Sequence, residues 1–322
     1  MVVQGTNKTA RTPWGALAAL LCVSLIWGVT FVWMKDGMEA AEASLGPGSV
    51  VSALALFLVL RFGLAAGIVY LISPAARRNL GRAEWRSGAW LGGLLFAGFA
   101  LQMLGLVQVT PAVSAFLTSL YVLFTAGLSA LRANGRLRKS LVVGAVFATI
   151  GAGLVRGRPD LGFTSGEWLT ILGALFFAIH ILVTDRATKR HDPMAVTLTS
   201  FVVVFGAGVA LFCLARTVGT GPSFANIADL LTTRAFLVPL ALTTVLATVI
   251  ALSLMNLFQR RVDPVRAAIV YAFEPIFATV FGLMTGHDEL TAWLWFGGSA
   301  LLLGNLVAEL GARREELSHS AS

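Results

Sequence analysis

Long apolar runs separated by short polar segments set the pattern of the chain. Stretches of about 17 to 25 mainly hydrophobic residues, each long enough to cross a bilayer as a helix, fall near 14–34, 49–73, 87–108, 111–131, 138–156, 166–184, 194–216, 235–258, 264–285 and 292–311. The split at Thr110-Pro111 interrupts a run that is otherwise continuous. Pro111 there, like Pro264 at the head of the ninth run, suits the first turn of a new helix better than a helix interior. The first run has only Lys8 and Arg11 ahead of it and no small-residue cleavage site, so it reads as a retained span rather than a signal peptide. The expectation is an all-α polytopic membrane protein of ten transmembrane helices.

Composition supports the lipid environment. Hydrophobic residues make up 57% of the 322 and charged residues only 12%, about half the share that a soluble domain carries. Mean hydropathy is +0.81. Net charge is +8, yet the basic residues form no stripe or nucleic-acid motif, which excludes nucleic acid as the partner. They lie between the apolar runs. With the N-terminus inside, 18 of the 24 Lys and Arg fall in inner segments and five outside, while Arg61 sits within the second run. This is a positive-inside distribution. It places both termini in the cytoplasm of a multi-pass inner (plasma) membrane protein, with Asp36, Glu39 and Glu42 in the first external loop. Cys22 and Cys213 lie inside apolar runs and read as small packed residues, with neither a disulfide nor a thiolate metal site implied.

The chain also repeats. A shift of 153 positions lays Val109 to Ala115 on Val262 to Ala268, both with proline third, and puts Tyr121 on Glu274. The same shift sets helices one to five against six to ten. An odd-numbered unit must re-enter the membrane from the opposite side, which gives two inverted five-helix repeats around a site near the midplane. The corresponding organisation is a tail at 1–13, repeats at 14–156 and 157–311, and a second tail at 312–322.

Several segments carry a family resemblance. Leu25 to Val32 ending the first helix, Leu60-Arg61-Phe62, Gly105-Leu106, Ala115 to Tyr121 and Phe273-Glu274-Pro275-Ile276-Phe277-Ala278 resemble the drug/metabolite transporter superfamily, specifically its EamA-domain members. The resemblance runs from about Trp14 to Gly311. Two departures from the family pattern are Thr125-Ala126, where a proline often follows the tyrosine stretch, and Gly286-His287-Asp288-Glu289-Leu290 before the tenth helix. The resemblance implies a central cavity lined by helices 1, 3, 4, 6, 8 and 9, with 5 and 10 behind as scaffold. It also implies outward movement of amino acids, other metabolites or drugs by alternating access, with a small-molecule solute and the bilayer as partners and no cofactor.

Charge at bilayer depth is costly, so each such residue calls for a reason. Glu274, about ten residues into the ninth helix, can bind a substrate cation or carry a proton; alternatively it is a structural carboxyl at a proline kink that frees the carbonyl of Tyr271. Arg61 either pairs with Glu274 or another group structurally, or serves a substrate carboxylate. The other substrate-binding candidates are Trp27, Trp33, Gln102, Phe116, Tyr121, His180, Asn256 and Tyr271. They describe an aromatic cavity with few charges, suited to an amphipathic solute; each can equally hydrogen-bond across the bundle. Lys35 and Asp36, at the external end of the first helix, read as an interface pair or a snorkelling anchor. The Gly-x-x-x-Gly pairs at 63/67, 88/92 and 282/286 and the glycines of the fifth and tenth helices allow close packing, within the chain or across a homodimer. An embedded enzyme would need a nucleophile with its base or a metal cluster, and neither H-E-x-x-H nor G-x-S-x-G occurs. A channel or lipid scramblase remains the alternative use of the same cavity.

Overall fold

The computed structural model describes residues 14–133, 139–155, 162–217, 222–262, 267 and 270–320. The predicted tail 1–13, Pro264 and most of the 262–268 match lie outside the described residues, as do Arg136, Arg138, Arg156, Arg158 and Arg266. In the first half the helices are α1 (Trp14–Leu45), α2 (Val50–Ile72), the short α3 (Pro74–Arg78), α4 (Arg82–Leu106), α5 (Pro111–Thr118), α6 (Leu120–Ala133) and α7 (Lys139–Leu154). The second half holds α8 (Ser165–Arg190), α9 (Pro193–Thr217), α10 (Phe224–Leu230) and α11 (Arg234–Leu242). A π-helical stretch, Thr243–Leu252, then leads into α12 (Ser253–Phe258), followed by α13 (Glu274–Thr285) and α14 (Ala292–Ser320).

Among the described residues, seven helical segments are long and apolar enough to cross a membrane, and three shorter apolar helices accompany them. Together they fall on the ten apolar runs. The outside of the bundle is itself apolar, with Leu71, Trp90, Leu214 and Trp295 exposed, a surface that suits lipid and not water. The protein is an all-helical membrane protein. Cys22 and Cys213 belong to that outer surface, both exposed, and are not packed inside as the sequence suggested.

Local chemistry explains the ends. Thr110 caps α5 by accepting from the Val113 N–H, and Pro111 follows in the first turn, where its missing N–H costs nothing. Thr164 and Glu167 form a reciprocal capping box on α8. Gly286, at φ +77°, closes α13 in the left-handed conformation that glycine adopts freely. α1 runs on to Leu45, so Asp36, Glu39 and Glu42 are helical and not in a loop; Gly46 and Gly48, both at positive φ, make the turn instead.

Two predicted helices are broken. The run 111–131 is interrupted at Ser119, between α5 and α6, where the Ser119 hydroxyl donates to the Phe116 carbonyl at 2.7 Å in competition with the helical ladder. In the ninth run Val270 and Tyr271 are helical, Ala272 and Phe273 form a turn, and α13 begins at Glu274. Glu274 therefore stands in the first turn of a helix, not ten residues inside one. The reason is Pro275: it cannot donate to a preceding turn, so the chain restarts there.

Glycines set the closest packing. A Cβ on Gly144 would strike the carbonyl of Gly304, and one on Gly151 would strike the backbone of Gly297 and Leu301; the reverse substitutions collide likewise. As the number rises on α7 it falls on α14, so the two helices run antiparallel with their backbones in contact. Gly88 and Gly92 of α4 meet Thr199 to Val203 of α9, while Gly63 meets Phe205.

Candidate functional site

Between the halves lies a cavity lined by residues of seven of the apolar runs. α1 contributes Trp27, Thr30, Phe31 and Met34; α4 contributes Leu95, Phe99 and Gln102; Thr118 and Tyr121 come from either side of the Ser119 break. Across from them stand Phe177, His180 and Ile181 of α8, Leu252 and Met255 of the eighth run, and Glu274 of α13. Arg61 of α2 completes the wall. The second helix was not expected at the cavity, and its presence is a correction. It reaches in through the long side chain of Arg61, whose guanidinium lies against Phe99 of α4 and Thr248 of the eighth run.

Glu274 and Tyr121 meet directly: the tyrosine hydroxyl donates to Glu274 Oε2 at 3.0 Å. Each follows a helix break, Ser119 for one and Ala272-Phe273 for the other. Glu274 thus stands in the first turn of a helix, the end at which the helix dipole favours a carboxylate. The carbonyl of Tyr271, freed by Pro275, lies 3.5 Å from the donating Ser24 Oγ. Gly28 gives α1 its close approach here, since a Cβ would collide with the Glu274 carbonyl and Phe277.

Arg61 does not pair with Glu274, although both line the same cavity. Its Nε donates to Thr248 Oγ1 at 2.6 Å, and Nη1 lies 3.3 Å from Met34 Sδ. The guanidinium stands 4.5 Å over the Phe99 ring and 5.4 Å from that of Phe62. The π-helical register presents Thr248, whose own hydroxyl donates to the Thr243 carbonyl five residues back at 3.0 Å. Pairing with Glu274 fails because Tyr121 holds the carboxyl on the far helices while stacking on Phe99 holds the guanidinium.

The remaining polar lining groups are bonded modestly. Gln102 Nε2 donates to Thr118 Oγ1 at 3.0 Å, Trp27 Nε1 to the Ala247 carbonyl at 3.2 Å, and His180 Nδ1 lies 3.5 Å from Thr184 Oγ1.

Of the predicted site residues, the cavity gathers Trp27, Gln102, Tyr121, His180, Glu274 and Arg61. Four others stand away from it. Trp33 packs edge-on against Phe281, ring centres 6.2 Å apart. Phe116 belongs to a separate apolar cluster between α5, α7 and α14 and fills the space left by Gly298. Asn256 donates to Thr197 Oγ1 at 2.6 Å, facing α9. Tyr271 donates to Gln259 Oε1 at 3.2 Å, behind Trp27, whose ring lies 5.6 Å away. Sequence reading missed Phe99, Phe177 and Met255. The repeat shift was a usable signal: Gln102 plus 153 gives Met255, one residue and roughly 100° of helix rotation from Asn256.

The polar positions outside the cavity tie one end of the bundle. Lys35 Nζ donates to the carbonyls of Leu106, Val107 and Val109 at 2.9, 3.1 and 3.2 Å, closing the C-terminus of α4. His287 Nε2 lies 2.8 Å from Asp36 Oδ1, and Asp288 accepts from the Ala112 N–H at 3.1 Å. Burial holds the Asp288 carboxyl above its ordinary range, opposed by these hydrogen bonds and by the nearby cations. Lys35 therefore binds the end of α4, while the half-exposed Asp36 meets the loop residue His287.

A sheath of apolar helices around a cavity that is apolar in most of its wall and set with a few polar groups and two charges fits a membrane transporter. The chain belongs to the EamA-like transporter family, whose description matches residues 13–157 and again 164–309. It is 27% identical over 293 residues to an uncharacterized transporter of Archaeoglobus fulgidus, an alignment covering 90% of this chain and 84% of that one. A solved crystal structure with 21% identity superposes with a TM-score of 0.59, covering 95% of this chain and all of the other. That likeness concerns the fold.

Proposed function

We propose that the protein is a secondary carrier of ten membrane spans that moves a small metabolite out of the cell by alternating access. Its halves, 14–156 and 157–311, are inverted repeats, and both termini lie in the cytoplasm of a cell that holds it in its inner membrane. The reading rests on one observation above others: four pairs of cavity-lining residues stand 153 positions apart. They are Trp27 and His180, Phe99 and Leu252, Gln102 and Met255, and Tyr121 and Glu274. A cavity drawn from matching positions of two repeats is the site expected between inverted halves. The glycine contacts support inversion as well. Gly144 plus 153 is Gly297 and Gly151 plus 153 is Gly304, yet Gly144 meets Gly304 and Gly151 meets Gly297. Such reciprocal contact marks a self-complementary interface between equivalent surfaces, and antiparallel equivalents cross the membrane in opposite directions.

In this reading the cargo is an amino acid or another amphipathic, aromatic compound. Phe31, Phe99, Phe177 and Trp27 receive its apolar body while Glu274 binds a cationic group or carries the coupling proton. Counterflow of labelled solute in proteoliposomes tests it. A carrier shows saturable uptake that rises when unlabelled solute is preloaded; flux linear in concentration and indifferent to preloading identifies a channel or scramblase instead.

A further inference from the structure

The cavity wall holds a buried cation that makes no direct ion pair among the described residues. Arg61 is fully buried, and among the described residues no carboxylate lies within ion-pair distance of it. Its guanidinium offers five N–H donors. Nε has a strong acceptor in Thr248 and Nη1 only the weakly accepting sulfur of Met34, while the buried Nη2 has no hydrogen-bond partner at all. Buried donors are otherwise almost always satisfied. A group with a purely structural task would therefore be placed where its outer N–H groups met carbonyls, as Lys35 is. Phe99 and Phe62 fix the plane of the guanidinium by cation–π contact, leaving the Nη edge as the part without firm acceptors.

We propose that this edge receives a carboxylate of the transported solute. A carboxylate matches the fork of two adjacent N–H groups, supplies the missing countercharge in a low-dielectric site, and lets the attached carbon skeleton lie against Phe99, Phe177 and Leu95. The assignment names an end of the cargo, and it rests on the carrier reading for its meaning but not for its measurement.

The test is calorimetric binding to the purified full-length protein of 3-phenylpropanoate and of its uncharged amide, 3-phenylpropanamide. The wild type binds the carboxylate at least tenfold more tightly than the amide. Arg61→Gln brings that ratio close to one, and Arg61→Lys, which keeps the charge but not the fork, falls between. No preference for the carboxylate in the wild type, or an unchanged ratio in Arg61→Gln, overturns the proposal; so does binding of neither probe. The wild-type ratio needs no variant and stands even if Arg61→Gln fails to fold. Carboxylate selectivity without counterflow in proteoliposomes would sink the carrier reading and leave the subsite intact. Counterflow with no carboxylate preference would do the reverse.

Discussion

The two halves share a frame and differ in their chemistry. α7 and α14 meet through glycines at matching positions, and the fourth and ninth runs break at positions that correspond, Ser119 and Ala272. The lining side chains do not match. An indole faces an imidazole across the repeat, a phenyl ring an isobutyl group, an amide a thioether, and a phenol a carboxyl group. Equivalent backbones thus present unequal groups to one cavity. Backbone contact constrains the frame in both halves alike, whereas the wall is free to diverge wherever a side chain points into space.

Substitutions can break this comparison in order of expected size. Gly151→Leu and Gly304→Leu, one in each half, each place a side chain against backbone. Both should destabilise the protein by about 3 kcal/mol or prevent its accumulation, since overpacking a tight site typically costs 1–3 kcal/mol. Thermal unfolding in detergent reads the effect, and a large cost in one half alone would show that the frame is not shared. Next, Glu274→Gln should lower counterflow about tenfold, equivalent to roughly 1.4 kcal/mol, with membrane insertion intact. Full activity across the pH range would remove Glu274 from coupling. Tyr121→Phe, which deletes only the hydroxyl, should cost about 1 kcal/mol, a factor near five. If it matched Glu274→Gln, the phenol and the carboxyl would be working as one group. The smallest effect belongs to Gln102→Met, which gives the first half the residue of the second. Loss of one interhelical hydrogen bond predicts about 0.6 kcal/mol, and a fall in transport beyond threefold would mean that Gln102 touches the solute.

Much of this frame is legible in the residues. Ten apolar runs, the proline at the Thr110-Pro111 split and the match between Tyr121 and Glu274 all stand in the sequence, because lipid demands long apolar helices and proline restricts where they begin. The inward face of each helix is harder to read. In a soluble helix the apolar stripe marks the core, but here lipid-facing and packed faces are both apolar, so the periodic signal fades. Asn256 is the more polar of two neighbours, yet Met255 beside it is the one that lines the cavity. The break at Ser119 and the π-helical register at Thr243–Leu252 leave no compositional mark either, whereas Pro275 marks the break at Ala272-Phe273. Arg61 was identifiable as a buried charge, yet its stacking on Phe99 required knowing how far α2 stands from the cavity.

The bond between Tyr121 and Glu274 joins residues exactly one repeat apart. In a molecule whose halves are related by a two-fold axis, a position can touch its own counterpart only where it lies close to that axis. Rotation about the axis leaves such a point where it was. In the proposed exchange of inward-open for outward-open arrangements, the other lining residues trade roles around this pair, which is the part least displaced. On that proposal the phenol and carboxyl serve as a pivot beside the route of the solute.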